Sequence, residues 1–145
     1  MGVEEVLNDA FDRAMDYQKA MKANPNARKD LELEAISNIM NNKLFITCHS
    51  YVQPEITYTM RVIEKFKAQG YNFKVNTFTH ILEGYKVADK MKAHGVGAST
   101  FSDWWAYKME VKDAIPYNAS LLNSMGVVTA INSDDAEMGR RLNQE

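Results

Sequence analysis

The sequence predicts an α/β domain built on a parallel sheet. Three observations lead there: helical periodicity over the first forty residues, four short apolar strand-like runs after residue 43, and a helical stretch following each run. Units of this kind repeated in a row, here roughly 25 to 30 residues apiece, form parallel strands joined by right-handed helical crossovers. Read from the residues alone, the arrangement is either a flavodoxin-like sheet or a piece of a barrel.

In the first helix the apolar positions Val3, Val6, Leu7, Ala10, Phe11, Ala14 and Met21, with Gln18 polar but in phase, recur at steps of three and four and make one apolar face. "NPN" at 24–26 breaks it. Leu31, Ala35, Ile36, Ile39 and Met40 mark a second helix, which "NNK" at 41–43 ends. "LFITCH" (44–49) is the first strand, leading to a helix with Ile56, Met60, Ile63 and Phe66 that stops at Gly70. "FKVNTFTH" (73–80) is the second, followed by a shorter helix with Val87, Ala88 and Met91 capped by Gly95. "VGAST" (96–100) is the third, followed by the aromatic loop "FSDWWAY" and a helix through "YNASLLNSMG". "VVTAI" (127–131) is the fourth, and "NSDDAE" starts a last helix. Short, mostly apolar strands suit a parallel sheet covered on its faces.

Composition excludes several classes. With 46% apolar and 25% charged residues, the 145-residue chain is globular material for one core. Its net charge of −2 comes from interspersed signs, so no basic stripe offers itself to nucleic acid. No apolar run approaches the roughly 20 residues that span a bilayer. The start "MGVEEVLNDAF" lacks the basic and apolar regions of a secretory signal, so a cytoplasmic location is the default expectation, with export of a longer parent left open. Cys48, the lone cysteine, reads as a buried thiol. Neither G-x-G-x-x-G nor G-x-x-x-x-G-K-[ST] is present, so nucleotide readings lack their fingerprints.

The carboxyl ends of parallel strands and the loops after them form the functional face. His49 and His80 fall there, at the ends of the first two strands, and "SDD" (133–135) follows the fourth. Imidazole and carboxylate donors suit a divalent metal, zinc first among them. His94, beside Gly95, reads instead as a charge placed favourably at a helix C-terminus and is set aside.

"ITCHSYVQPEI", "NTFTHILEGYKVADKMKAHGVGAST", "FSDWWAYK" and "VVTAINSDDAEMGRRLN" resemble the second half of an amidohydrolase-superfamily protein, in the branch of imidazolonepropionases and metal-dependent Xaa-Pro dipeptidases. The resemblance runs from about Leu31 to the end. It implies the C-terminal half of a (β/α)8 TIM barrel, with leading helices in 1–42 and strands five to eight with their helices in 43–145. The fifth and sixth strands of such barrels each end in a metal-binding histidine and the eighth in an aspartate, which carry over as His49, His80 and Asp134. Asp134 would bind metal and serve as general base in hydrolysing the C–N bond of a small amide, cyclic amide or dipeptide. Asp135 is the neighbouring candidate for that role. Tyr51, Glu83, Trp104, Trp105 and Tyr107 would line the substrate pocket.

The departures matter equally. The family's H-x-H pair on the first strand and carboxylated lysine on the fourth cannot be placed, since the histidines are 49, 80 and 94. A complete barrel takes about 250 residues, so the expectation is a fragment: weak in metal affinity, inactive alone, and associating with a second copy or a complementing N-terminal half to cover its sheet edges. The alternative is a non-catalytic, self-associating α/β domain that binds a small ligand at the rim.

Overall fold

The computed structural model describes every residue except Met1, Ser102, Asp103, Trp105 and Glu145. Two helices, α1 (Val3–Ala23) and α2 (Leu31–Met40), precede the sheet. Asp30 starts α2 by accepting from the Glu32 and Leu33 N–H groups, which have no partner within the helix. Tyr17 donates its hydroxyl to Glu34 at 2.8 Å and ties α1 to α2. The buried face of α1 carries Phe11 and Ala14 of the periodic set together with Tyr17, which lies outside that set, whereas Val3 and Val6 at the start of the helix are exposed.

The four strands are β1 (Ile46–His49), β2 (Val75–Thr79), β3 (Gly97–Thr100) and β4 (Thr129–Ile131), with α3 (Gln53–Lys67), α4 (Ala88–His94) and α5 (Asn118–Ser124) between them. All pairings are parallel and the spatial order is β1-β2-β3-β4. That order decides between the two architectures. A doubly wound sheet reverses its strand order to place helices on both faces, whereas sequential strands joined by right-handed crossovers place every helix on one face and leave the other for a barrel interior. The core is therefore one-sided. Phe78 and Ala98 of the sheet, with Val75 at its start, pack with Ile56, Ile63 and Phe66 of α3 and Met91 of α4. Among the described residues no helix is long and apolar enough to cross a membrane.

Several boundaries differ from the sequence reading. β1 starts at Ile46: Leu44 and Phe45 stand outside the ladder, Phe45 73% exposed. The register shifts between Ile46 and Thr47, where the Asn76 side chain accepts the Ile46 N–H at 2.9 Å. β2 stops at Thr79, and His80 lies outside the strand with a left-handed backbone (φ 63°). α3 stops at Lys67, before Gly70, whereas Gly95 does cap α4 in the left-handed conformation (φ 79°). The final segment, Met138–Gln144, is 3-10 rather than α-helical and is interrupted at Arg141.

His94 is the clearest correction. It is a buried neutral side chain and not a charge on a helix end. Its Nε2 accepts the Val75 N–H at 3.1 Å, so the proton resides on Nδ1, which donates to Glu64 at 2.5 Å. The ring thus joins α4 to the first residue of β2 and to α3. Burial pushes its proton affinity below the usual histidine value, against the opposing pull of Glu64.

Candidate functional site

The parallel register aligns His49 with Thr79 and Thr79 with Ser99, so their side chains emerge on the face away from the helices. His80 would alternate to the helical face if β2 continued. Its positive φ turns it out of that alternation, a conformation uncommon for a residue with a Cβ and concentrated at functional sites. The result is a direct meeting: His80 Nε2 lies 2.8 Å from His49 Nδ1. Asp134 arrives from the loop after β4 and places Oδ2 3.3 Å from His80 Nδ1, within ion-pair range but without hydrogen-bond geometry, so Nδ1 has no hydrogen-bond partner among the described residues.

Asp135 is separated from Asp134 by this geometry. Its Oδ1 accepts the Glu137 and Met138 N–H groups at 2.8 and 2.9 Å, which commits the carboxylate to the turn that opens the last segment. The two adjacent aspartates therefore point at different tasks.

Two carboxylates fix the loop after β1. Glu55 accepts the Tyr51 N–H at 2.9 Å, and Glu83, only 5% exposed, accepts the Gln53 N–H at 2.9 Å while Lys86 approaches it at 3.2 Å. Glu83, expected to line the pocket, thus has its carboxylate engaged at the N-terminus of α3. Tyr51 is set on the site: its ring stacks on His80 at 5.6 Å and 13°. Phe101 also packs against His80, at 5.4 Å, Trp104 packs on Phe101 at 5.0 Å, and Tyr107 meets Trp104 edge-on at 5.1 Å. Trp105 lies outside the described residues.

Three positions were not assigned from the sequence. Phe101 reads there only as part of an aromatic loop. Lys108 sits with Nζ 3.9 Å from the Tyr51 ring centroid and closes the "WWAYK" segment without any spacing signal. Asn118, 1% exposed, bonds Ile81 O and Thr100 Oγ1 through Nδ2 and accepts the Tyr85 N–H, so it anchors the loop that carries His80.

His80 is 3% exposed. Burial holds its proton affinity below the usual histidine value, assisted by His49 and Lys108 and opposed by Asp134. A neutral imidazole is the form able to ligate a metal. The chemistry of the donors fits a divalent ion, but their placement is incomplete. The imidazole nitrogens face each other while the aspartate meets the far nitrogen of His80, and among the described residues no set of three His, Cys, Asp or Glu donors is gathered around a point.

The two depressed histidines link folding to pH. The unfolded chain takes up their protons first, near 6.5, so stability is full above that pH and is lost as pH falls below it. The urea midpoint should drop between pH 7 and pH 5. His94→Gln, which keeps an acceptor for Val75 N–H, should flatten the dependence, and an unchanged slope would contradict the neutral assignment.

No family model matches the chain, and no curated protein matches it. Among solved structures it is similar to an amidohydrolase from Thermotoga maritima MSB8, with a TM-score of 0.80 and 21% identity over 96% of this chain and 36% of that one. The fold is part of a (β/α)8 barrel. The chain spans 36% of the length of that amidohydrolase, so four strands and their helices superpose on one sector of a longer protein.

Proposed function

We propose that the chain is the C-terminal half of a metal-dependent hydrolase of the amidohydrolase superfamily, in its imidazolonepropionase-like and Xaa-Pro-dipeptidase-like branch, acting on C–N bonds of small amides, cyclic amides or dipeptides. One observation carries this reading. At the carboxyl ends of the parallel strands, where barrel enzymes keep their chemistry, His80 meets His49 at 2.8 Å on one side and Asp134 at 3.3 Å on the other. The likeness to the Thermotoga amidohydrolase supports it.

His49 through Nδ1 and His80 through Nε2 would hold the ion, zinc by preference, with Asp134 as the adjacent carboxylate. When bound, a divalent ion polarises an amide carbonyl and makes water a better nucleophile at neutral pH. Asp134 Oδ2 receives the proton of the attacking water and returns it to the leaving nitrogen. Burial keeps His80 unprotonated for ligation. The Phe101, Trp104 and Tyr107 rings exclude water from one wall and seat the apolar part of the substrate.

Two nitrogens and one oxygen fall short of a zinc shell of four with an open position, so the remaining donors come from other strands of the barrel. The same logic applies to the sheet edges. Phe45 beside β1 and Val128 before β4, 73% and 81% exposed, flank strands that pair on one side only among the described residues. A complementing half, or a second copy, covers them.

The test is a zinc titration of the 145-residue chain by calorimetry, paired with His80→Ala. Weak binding by the parent and at least a tenfold loss in the variant are expected. Equal affinity in the two would remove the reading. The second reading, a non-catalytic ligand-binding domain, is favoured by the 2.8 Å contact in which the imidazoles satisfy each other, and it predicts that equality.

A further inference from the structure

The two edges of the sheet begin on the same kind of residue. Among the described residues β1 pairs with β2 alone and β4 with β3 alone. An edge that faces water is normally blunted by lysine, proline or an inward charge, and neither the ITCH of β1 nor the TAI of β4 contains a lysine, a proline or a carboxylate. Instead, Phe45 stands immediately before Ile46, the first residue of β1, and Val128 immediately before Thr129, the first of β4, and both are exposed. The helix leading into β4 adds to that flank. Tyr117, Leu121 and Met125 fall at steps of four along α5 and its two caps, all three exposed, and α5 packs on β4. Apolar side chains gathered in this way mark a surface that another chain covers.

Strand number and order identify that chain. A parallel sheet with every helix on one face closes at eight strands, and this one contributes four, in sequential order. When two copies are related by a two-fold axis, β4 of each meets β1 of the other. Every edge is then paired, and nothing is left for further growth. Parallel pairing sets like ends of strands side by side, so Phe45 of one copy comes beside Val128 of its partner at both junctions. The surface is thus complementary to itself, as a two-fold interface must be. A net charge of −2 opposes the approach of two copies only weakly.

We propose that two copies of this chain close an eight-stranded barrel around a two-fold axis, joined at two identical junctions of β4 with β1. The inference stands on the fold and its edges, and it goes beyond the hydrolase reading by naming a second copy as the chain that covers them. It also completes the rim. Each copy sets His49, His80 and Asp134 at the carboxyl ends of its strands, and parallel closure gathers both sets on one rim. The donors available to an ion are doubled where a single set falls short of a full shell.

Sedimentation equilibrium of the metal-free chain over a range of concentrations reads the association, with Phe45→Glu and Val128→Lys as the variants. Both positions are exposed, so circular dichroism should show each variant folded as the parent is. The parent is expected to be a dimer. Each variant alone damages both junctions and should weaken the dimer at least tenfold. Mixed in equal amounts, the two variants should pair again, because the mixed dimer has one unaltered junction and one in which the new glutamate faces the new lysine. That rescue should fade as salt is raised. A parent that stays monomeric, a parent that grows into polymers, a variant that pairs as tightly as the parent, or a mixture that is not rescued would each overturn the closure. The last result is the mark of edges that pair like with like. A dimer that binds no zinc keeps the closure and removes the metal reading, whereas a monomer that loses zinc on His80→Ala keeps the metal reading and removes the closure.

Discussion

Phe66→Ala should lower the folding free energy by about 4 kcal/mol, the range for emptying an aromatic site in a packed core. Phe66 is fully buried on α3, its ring 5.2 Å from Phe11 of α1, and Phe11 is also 5.2 Å from Phe73 at the approach to β2. The three rings form the joint between the leading helix and the sheet layer. Removing the middle of α3's contribution leaves Phe11 facing a cavity, so α1 should lose protection from hydrogen exchange before the strands do. The ion pair of Arg61 with Glu4 spans the same two helices but is solvent-screened, so Arg61→Ala should cost far less. Urea unfolding of both variants checks the order. A small loss in Phe66→Ala would mean that α1 is not docked on this core.

Asn118→Ala should cost about 3 kcal/mol, because it strands the buried Ile81 C=O and the partly buried Tyr85 N–H, which bond the amide at 2.7 and 2.9 Å. The third bond, to Thr100 Oγ1 at 3.0 Å, ties the same amide to the end of β3. The loop thus released begins at His80, whose left-handed backbone persists only while its surroundings hold it. The variant should therefore lose zinc affinity as well as stability, although Asn118 touches neither histidine. Thermal unfolding and zinc calorimetry on the same sample read both effects. A stability loss with zinc affinity intact would show that the loop is held by other contacts.

The fold was legible in the sequence because each unit repeats the same local signals. Apolar steps of three and four mark α1 and α3, short apolar runs mark the strands, and Gly95 closes α4 where expected. Sequence alone left a wound sheet or a barrel piece, because strand order is a property of long-range pairing. The same limit explains the misread ends. Leu44 and Phe45 are as apolar as the residues that follow, but the ladder begins where Asn76 offers its side chain across thirty residues.

The site was legible in part for the same reason. A histidine closing each of two neighbouring strands is visible as a pattern, and parallel register then brings the two into contact. The sequence favoured Asp134 over Asp135, and the fold adds a physical difference between them, since Asp135 caps the following turn while Asp134 lies 3.3 Å from His80 Nδ1. His94 was misassigned because its partner is the main-chain N–H of Val75, which has no sequence signature. Lys108 and Asn118 lacked any periodic context, and their roles exist only in the folded chain.

Side-chain nitrogen NMR of the three histidines, recorded before and after adding zinc, addresses the convergence at the rim most directly. His49 Nδ1 and His80 Nε2 should shift together at the same zinc concentration while both His94 nitrogens stay in place. Zinc shifts confined to one of the pair, or shared with His94, would contradict a common site at the strand ends.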